Sequence, residues 1–368
     1  MVWQGVCSPQ TNRTIAVCVG MSWWKRQRIA DFLRTPTTRP VFRRTVRGAI
    51  KTAMARDGAI AVWATREPRG LAAAAADRQV PLVRVEDGFL RSVGLGSDFL
   101  PGASIVVDES GIYFDPSRES DLERLLRETD FEPALLARAR RLIDCLVATG
   151  LTKYNLNETR PRIAWPPGRR RILVPGQVDD DLSVRRGGGS VRGNLDLLAR
   201  VRAAKPEAFI VYKPHPDVSA GHRRGAIRFA DALRFADVVL RRGSIAALLD
   251  EIDELHTLTS LAGFEALLRG VPVTVYGKPF YAGWGLARDI DPWDRGRRLT
   301  LEELVAVALI IYPRYLDPVT RRPCDPETII DRLAQRELWR PNLLMRTRRL
   351  QGLLVGALRP CGRRFARW

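Results

Sequence analysis

The stretch Arg171-Ile172-Leu173-Val174-Pro175-Gly176-Gln177-Val178-Asp179-Asp180-Asp181-Leu182-Ser183 decides the fold. Residues 171–174 read as a short strand, Pro175-Gly176 ends it, and a glycine-rich loop leads to a helical pattern near 194–203. Strand, loop and helix in that order form the unit of a parallel sheet covered by helices. The residues just before it, 156–171, carry Pro161, Pro166 and Pro167 with little periodicity and read as a linker. The alternation therefore stops and restarts, and two α/β units are expected.

Upstream, 15–19, 59–63 and 81–85 read as strands, with helices over 25–33 and 71–78. Residues 105–107 and 112–114 flank Asp108-Glu109-Ser110-Gly111 and predict a hairpin. Helices are expected near 120–128 and 133–149. Downstream, strands at 209–212, 238–240, 254–259 and 273–276 alternate with helices at 227–234, 245–252 and 261–269. The expected architecture is α/β, with two Rossmann-like units facing a cleft. Their spans are 1–155 and 172–320, with a basic tail over 321–368 and a helix at 301–310 from which the chain could cross back to the first unit.

The 368 residues are 45% hydrophobic and 27% charged, which excludes wholesale disorder and a membrane-embedded protein. Sixty Lys and Arg against 41 Asp and Glu leave +19, a field that favours polyanions, anionic lipid surfaces or acidic substrates. Residues 340–368 hold eight Arg and no acid, leaving +11 for the rest. With Leu343, Leu344, Leu350, Leu353, Leu354, Phe365 and Trp368, this tail either lies on an anionic leaflet or packs a Leu face on the body. Cys7, Cys18, Cys145, Cys324 and Cys361 are scattered and imply neither a disulfide framework nor a zinc site. With no leader pattern and no run of about 18 apolar residues, a cytoplasmic location is expected, at most peripheral on the inner membrane.

Ligands of open α/β sheets bind outside the carboxyl ends of strands. Glu86 and Asp87 stand at such an end between Arg84 and Arg91, as a general acid or base or as a turn pair held by the arginines. Asp179-Asp180-Asp181 could hold a metal, form a solvated loop, or present a nucleophilic carboxylate to the cleft. Lys213 and His215, the latter between two prolines, suit a phosphate unless they form only a rigid turn. Ser260 is placed to cap a helix, and Glu265, one turn in, to reach ribose hydroxyls.

Read together, these residues resemble the bacterial capsule β-Kdo transferases of the KpsC type. The resemblance runs in order over 80–320: Glu86 to Ser92 (EDGFLRS), Asp108 to Pro116 (DESGIYFDP), Thr152 to Asn155 (TKYN), Pro175 to Ser183 (PGQVDDDLS), Tyr212 to Val218 (YKPHPDV), Thr257 to Leu268 (TLTSLAGFEALL), Tyr276 to Leu286 (YGKPFYAGWGL) and Tyr312 to Thr320 (YPRYLDPVT). It implies a GT-B-like fold and retaining transfer of Kdo from CMP-β-Kdo to a Kdo-bearing lipid or saccharide, with no cofactor and no metal. It also implies Asp181 as nucleophile, Glu86 as acid/base with Asp87 as alternate, and Gln177, Lys213, His215, Ser260, Gly263, Glu265 and Arg91 as donor-binding residues. The fullest members of that family carry two modules in tandem; this chain has room for one, worded more like the second. The rival readings are a polyanion-binding protein, although no nucleic-acid module is recognisable, and a non-catalytic export or assembly partner, which the retained carboxylates oppose.

Overall fold

A computed structural model describes residues 13–94, 100, 102–156, 158–221 and 223–339. The first five strands are β1 (Ile15–Val19), β2 (Val41–Phe42), β3 (Ala59–Trp63), β4 (Leu82–Asp87) and β5 (Ser104–Asp108). A second group comprises β6 (Arg171–Pro175), β7 (Phe209–Lys213), β8 (Val238–Val239), β9 (Glu254–Thr257), β10 (Val273–Val275) and β11 (Arg288–Asp289). The chain then returns with β12 (Pro313–Leu316) and β13 (Pro323–Cys324). One sheet has the order β13-β12-β5-β4-β3-β1-β2 and the other β11-β10-β9-β6-β7-β8. The α/β expectation holds: the second sheet is parallel throughout, and the first is parallel from β4 to β2.

β1 and β3 match the expected strands residue for residue, and every one of their side chains is buried. Continuous apolar strands of this kind fit a sheet covered on both faces. The helices Val46–Ala55 and Leu71–Asp77 supply Ala49, Ala53, Leu71 and Ala75 to one cover of the first sheet. A larger core runs through both units, taking Phe89 and Val106 from the first and Leu173, Val211 and Leu255 from the second. Phe89 stacks on Phe280 at 4.6 Å between centroids and Phe264 lies 5.3 Å from Phe280, an aromatic seam of the geometry such rings favour.

Three expectations are corrected. No hairpin forms at 105–114, because Asp108 accepts from the amides of Ser110 (3.1 Å), Gly111 (2.6 Å) and Asp121 (3.0 Å), folding the chain into a turn before residue 112. β5 pairs instead with β4 and β12, both antiparallel. The second span does not reach 320 as one unit, since β12 and β13 belong to the first sheet. The return runs through Leu301–Val305 and a π-helical segment, Ala306–Ile311, all six of whose residues are buried. Among the described residues no helix is long and apolar enough to cross a membrane. The tail expected over 321–368 is also corrected in part: 321–339 holds β13 and the helix Pro326–Ala334, whose Ile329, Ile330 and Leu333 are buried, and the rest, from 340 onward, lies outside the described residues.

Candidate active site

The carboxyl ends of β4, β6 and β7 and the loop after β9 open into one cleft of about 630 Å³. Glu86, Asp87 and Arg91 enter it from the first sheet; Gln177, Asp181, Lys213, His215, Ser260 and Glu265 enter from the second. All but one of the expected site residues thus share a cavity of the size that encloses small ligands. Gly263 is the exception and is absent from the cleft wall. A Cβ there would lie 2.2 Å from the Tyr281 hydroxyl, which donates to the Ser260 carbonyl at 2.6 Å, so the glycine makes room for a tyrosine that holds the start of the helix Leu261–Leu267.

The two adjacent carboxylates are sorted by their neighbours. Asp87 Oδ2 lies 3.2 Å from Lys25 Nζ and 3.0 Å from Arg91 Nε. Burial alone would raise its pKa, but Arg91 and Lys25 hold it well below the usual carboxylate range. Among the described residues Glu86 Oε1 takes only the Asp87 amide, at 3.1 Å, and its buried Oε2 has no partner. Burial pushes Glu86 up to about 7, with Lys25 opposing and the Asp87 charge adding to the rise. Glu86 can therefore gain or lose a proton near neutrality while its neighbour stays charged.

The three aspartates also separate. Asp180 pairs with Arg223 at 3.2 Å, and of the three only Asp181 lines the cleft. Its Oδ1 caps the helix Leu182–Gly187, accepting from the Ser183 amide and hydroxyl, both at 2.9 Å. The other oxygen holds no hydrogen bond among the described residues. No group of three or more His, Cys, Asp or Glu suited to a metal occurs among the described residues.

Gln177 proves to be a clamp. Its Oε1 accepts from the Thr257 hydroxyl and the Leu258 and Thr259 amides, each at 3.1 Å, and its Nε2 donates to Thr259 Oγ1 at 2.9 Å. The side-chain amide joins the ends of β6 and β9. Lys213 reaches Glu158 at 3.4 Å, and burial lowers its pKa. His215 caps the short helix Pro216–Ser219, its Nδ1 accepting from the Asp217 amide at 3.1 Å. Burial lowers the His215 pKa despite Asp217 and Asp181 nearby, favouring the neutral ring. Ser260 caps its helix as expected, accepting from the Ala262 amide at 3.2 Å. Glu265 accepts from the Lys153 amide at 2.9 Å, and burial raises it to about 7.

Sequence reasoning assigned no role to Lys25, Lys153, Tyr113 and Tyr154, all of which line the cleft. Burial would discharge Lys153, but Tyr113, Tyr154 and Asp87 more than reverse this and raise its pKa. The Tyr113 phenol, raised chiefly by burial, feels the charges of Glu86, Asp181 and Asp87 together. Lys153, Tyr154 and Tyr113 lie in stretches without periodicity, where TKYN and DESGIYFDP were the only local signal, while Lys25 stands at the start of the expected helix 25–33.

Two α/β sheets with a cleft across their strand ends define a GT-B-like architecture, the class used by many glycosyltransferases. Residues 58–315 match the family described as capsule polysaccharide biosynthesis protein, and the chain belongs to that family. It is 42% identical over 326 residues to the capsule polysaccharide modification protein LipA of Neisseria meningitidis serogroup A, covering 88% of this chain and 46% of LipA. It is 40% identical over 310 residues to the lipopolysaccharide-processing protein LpsZ of Rhizobium meliloti, covering 83% of this chain and 70% of LpsZ. The chain thus spans about half the length of LipA. Among solved structures it is similar to the β-Kdo 2,4 transferase of Thermosulfurimonas dismutans KpsC, with a TM-score of 0.75, 32% identity, and coverage of 87% of this chain and 98% of that one. The β-Kdo 2,7 transferase of the same KpsC gives a TM-score of 0.71 at 33% identity, covering 88% and 99%.

Proposed function

We propose that the chain is a retaining β-Kdo glycosyltransferase that moves Kdo from CMP-β-Kdo to a Kdo-terminated glycolipid or surface-polysaccharide linker. The observation that carries this reading is that Glu86 and Asp181, from opposite sheets, line one cleft in a fold shared with two β-Kdo transferases. The Asp181 carboxylate attacks the anomeric carbon of Kdo, and the bond to the phosphate oxygen breaks with its electron pair leaving on CMP. The acceptor hydroxyl then displaces Asp181 from the same carbon, its proton passing to ionised Glu86, and two inversions give net retention. Lys213 and His215 hold the CMP phosphate, while Arg91, through Asp87, fixes the floor beneath the sugar. The reaction so written needs no cofactor beyond the donor.

The test is to supply CMP-Kdo, generated in situ, with a Kdo-primed synthetic lipid and to map the linkage of the product by NMR. A β-linked Kdo supports the reading. No product from any Kdo-terminated acceptor overturns it.

A further inference from the structure

The +11 outside the tail is not spread evenly. Residues 25–56 hold Lys25, Arg26, Arg28, Arg34, Arg39, Arg43, Arg44, Arg47, Lys51 and Arg56 against one acid, Asp31, a net +9. Among the described residues Lys25 alone of these cations meets a carboxylate, Asp87, and Asp31 is taken by Arg321. Arg34, Arg39, Arg43, Arg44, Arg47, Lys51 and Arg56 are exposed and form no ion pair among the described residues. The cleft wall carries eight Lys and Arg against six Asp and Glu, so it holds little of the excess charge.

Arg43, Arg44, Arg47 and Lys51 lie at one edge of the first sheet, on β2's carboxyl end and the helix that follows it. β2 is its last strand, and the Arg43 amide, just past the β2 carboxyl end, donates to the Cys18 carbonyl at 2.9 Å. That places Arg43 and Arg44 at the end of the sheet where the cleft opens. In the helix Val46–Ala55, Arg47, Lys51 and Met54 fall at i, i+4 and i+7 on one outward face, with Ala49 and Ala53 buried opposite. Met54 is 53% exposed, and Trp23, beside the cleft residues Trp24 and Lys25, is 65% exposed. One or two charges suffice to deter pairing at a sheet edge; a basic band of this size, with an exposed Met on its helix and an exposed Trp past the carboxyl end of the neighbouring strand β1, has the composition of a surface that lies on an anionic bilayer.

We propose that this edge docks the protein on an anionic lipid bilayer, with Arg44, Arg47 and Lys51 against the headgroups and Trp23 at the interface, bringing the cleft mouth to the membrane surface. The proposal does not depend on the sugar donor. It is tested with the full-length chain by co-sedimentation with vesicles of phosphatidylglycerol and phosphatidylethanolamine, against vesicles of phosphatidylcholine alone. Wild type is expected on the anionic vesicles only, with binding that falls as salt is raised. The triple variant Arg44→Gln, Arg47→Gln, Lys51→Gln should bind them about a hundredfold more weakly, at about fivefold per cation, with unchanged melting temperature. Trp23→Ala should weaken binding separately. Wild-type vesicle affinity in the triple variant, whichever segment supplies it, overturns the proposal. So does a wild type that ignores the vesicles yet binds single-stranded DNA or an acidic oligosaccharide through the same three residues.

Discussion

Asp87 and Glu86 are consecutive residues at the end of one strand, yet Asp87 is locked between two cations 3.2 and 3.0 Å away and Glu86 keeps a buried carboxyl oxygen with no partner among the described residues. A single backbone step separates a permanent anion from a group that titrates near neutrality. The side-chain alternation of a strand causes this, since it turns the two carboxyls to different surroundings.

Glu86→Gln should therefore remove the limb of the pH–rate profile near 7, where Glu86 must lose its proton to accept one from the acceptor hydroxyl. Turnover should fall by about 10²- to 10⁴-fold. A profile that keeps its limb at 7 in this variant takes Glu86 out of the acid/base role.

Asp181→Asn retains an oxygen for the Ser183 cap and removes the charge. Transfer should drop at least about 10³-fold, with CMP affinity and melting temperature near wild type. Asp181→Ala should lose the same activity and, with its cap, about 1 kcal/mol of stability. Near-normal turnover in the Asn variant rejects Asp181 as nucleophile.

Lys153 lowers the Glu86 pKa, although less than Lys25 does. Lys153→Met should move the Glu86 limb to higher pH. Following that limb by initial rates between pH 5 and 9 checks it, and a limb that stays in place means the two groups are not coupled.

Glu265 sits at about 7 in the fold against an ordinary 4.5. The folded state thus holds a proton that the unfolded chain releases, so the stability from this group is complete below about 4.5 and lost as pH rises through 7. Glu265→Gln mimics the protonated form. It should melt with wild type at acid pH and be more stable by about 1 to 3 kcal/mol above pH 7. Equal denaturation midpoints at pH 8 contradict the assignment.

Gly263→Ala should cost about 1 to 3 kcal/mol, because the new methyl meets the Tyr281 hydroxyl. Tyr281→Phe in the same chain should recover part of that loss. If the Ala variant is as stable as wild type but fails to bind CMP, the glycine belongs to the donor site after all.

Local pattern determined much of this protein. The apolar runs of β1 and β3, the Ser260 cap and the placement of candidate residues at strand ends follow from near neighbours, so the sequence shows them directly. Tertiary structure alone decided which of Asp179, Asp180 and Asp181 enters the cleft, and which of Glu86 and Asp87 stays ionised. A carboxyl's pKa depends on burial and on cations that arrive from residues 25, 91 and 153. The same holds for charge: +19 and its concentration over 25–56 are written in the sequence, but only the fold shows that β2 and the helix after it set Arg43, Arg44, Arg47 and Lys51 along one sheet edge. Strand pairing is a contact between residues far apart in the chain, and no local pattern encodes it.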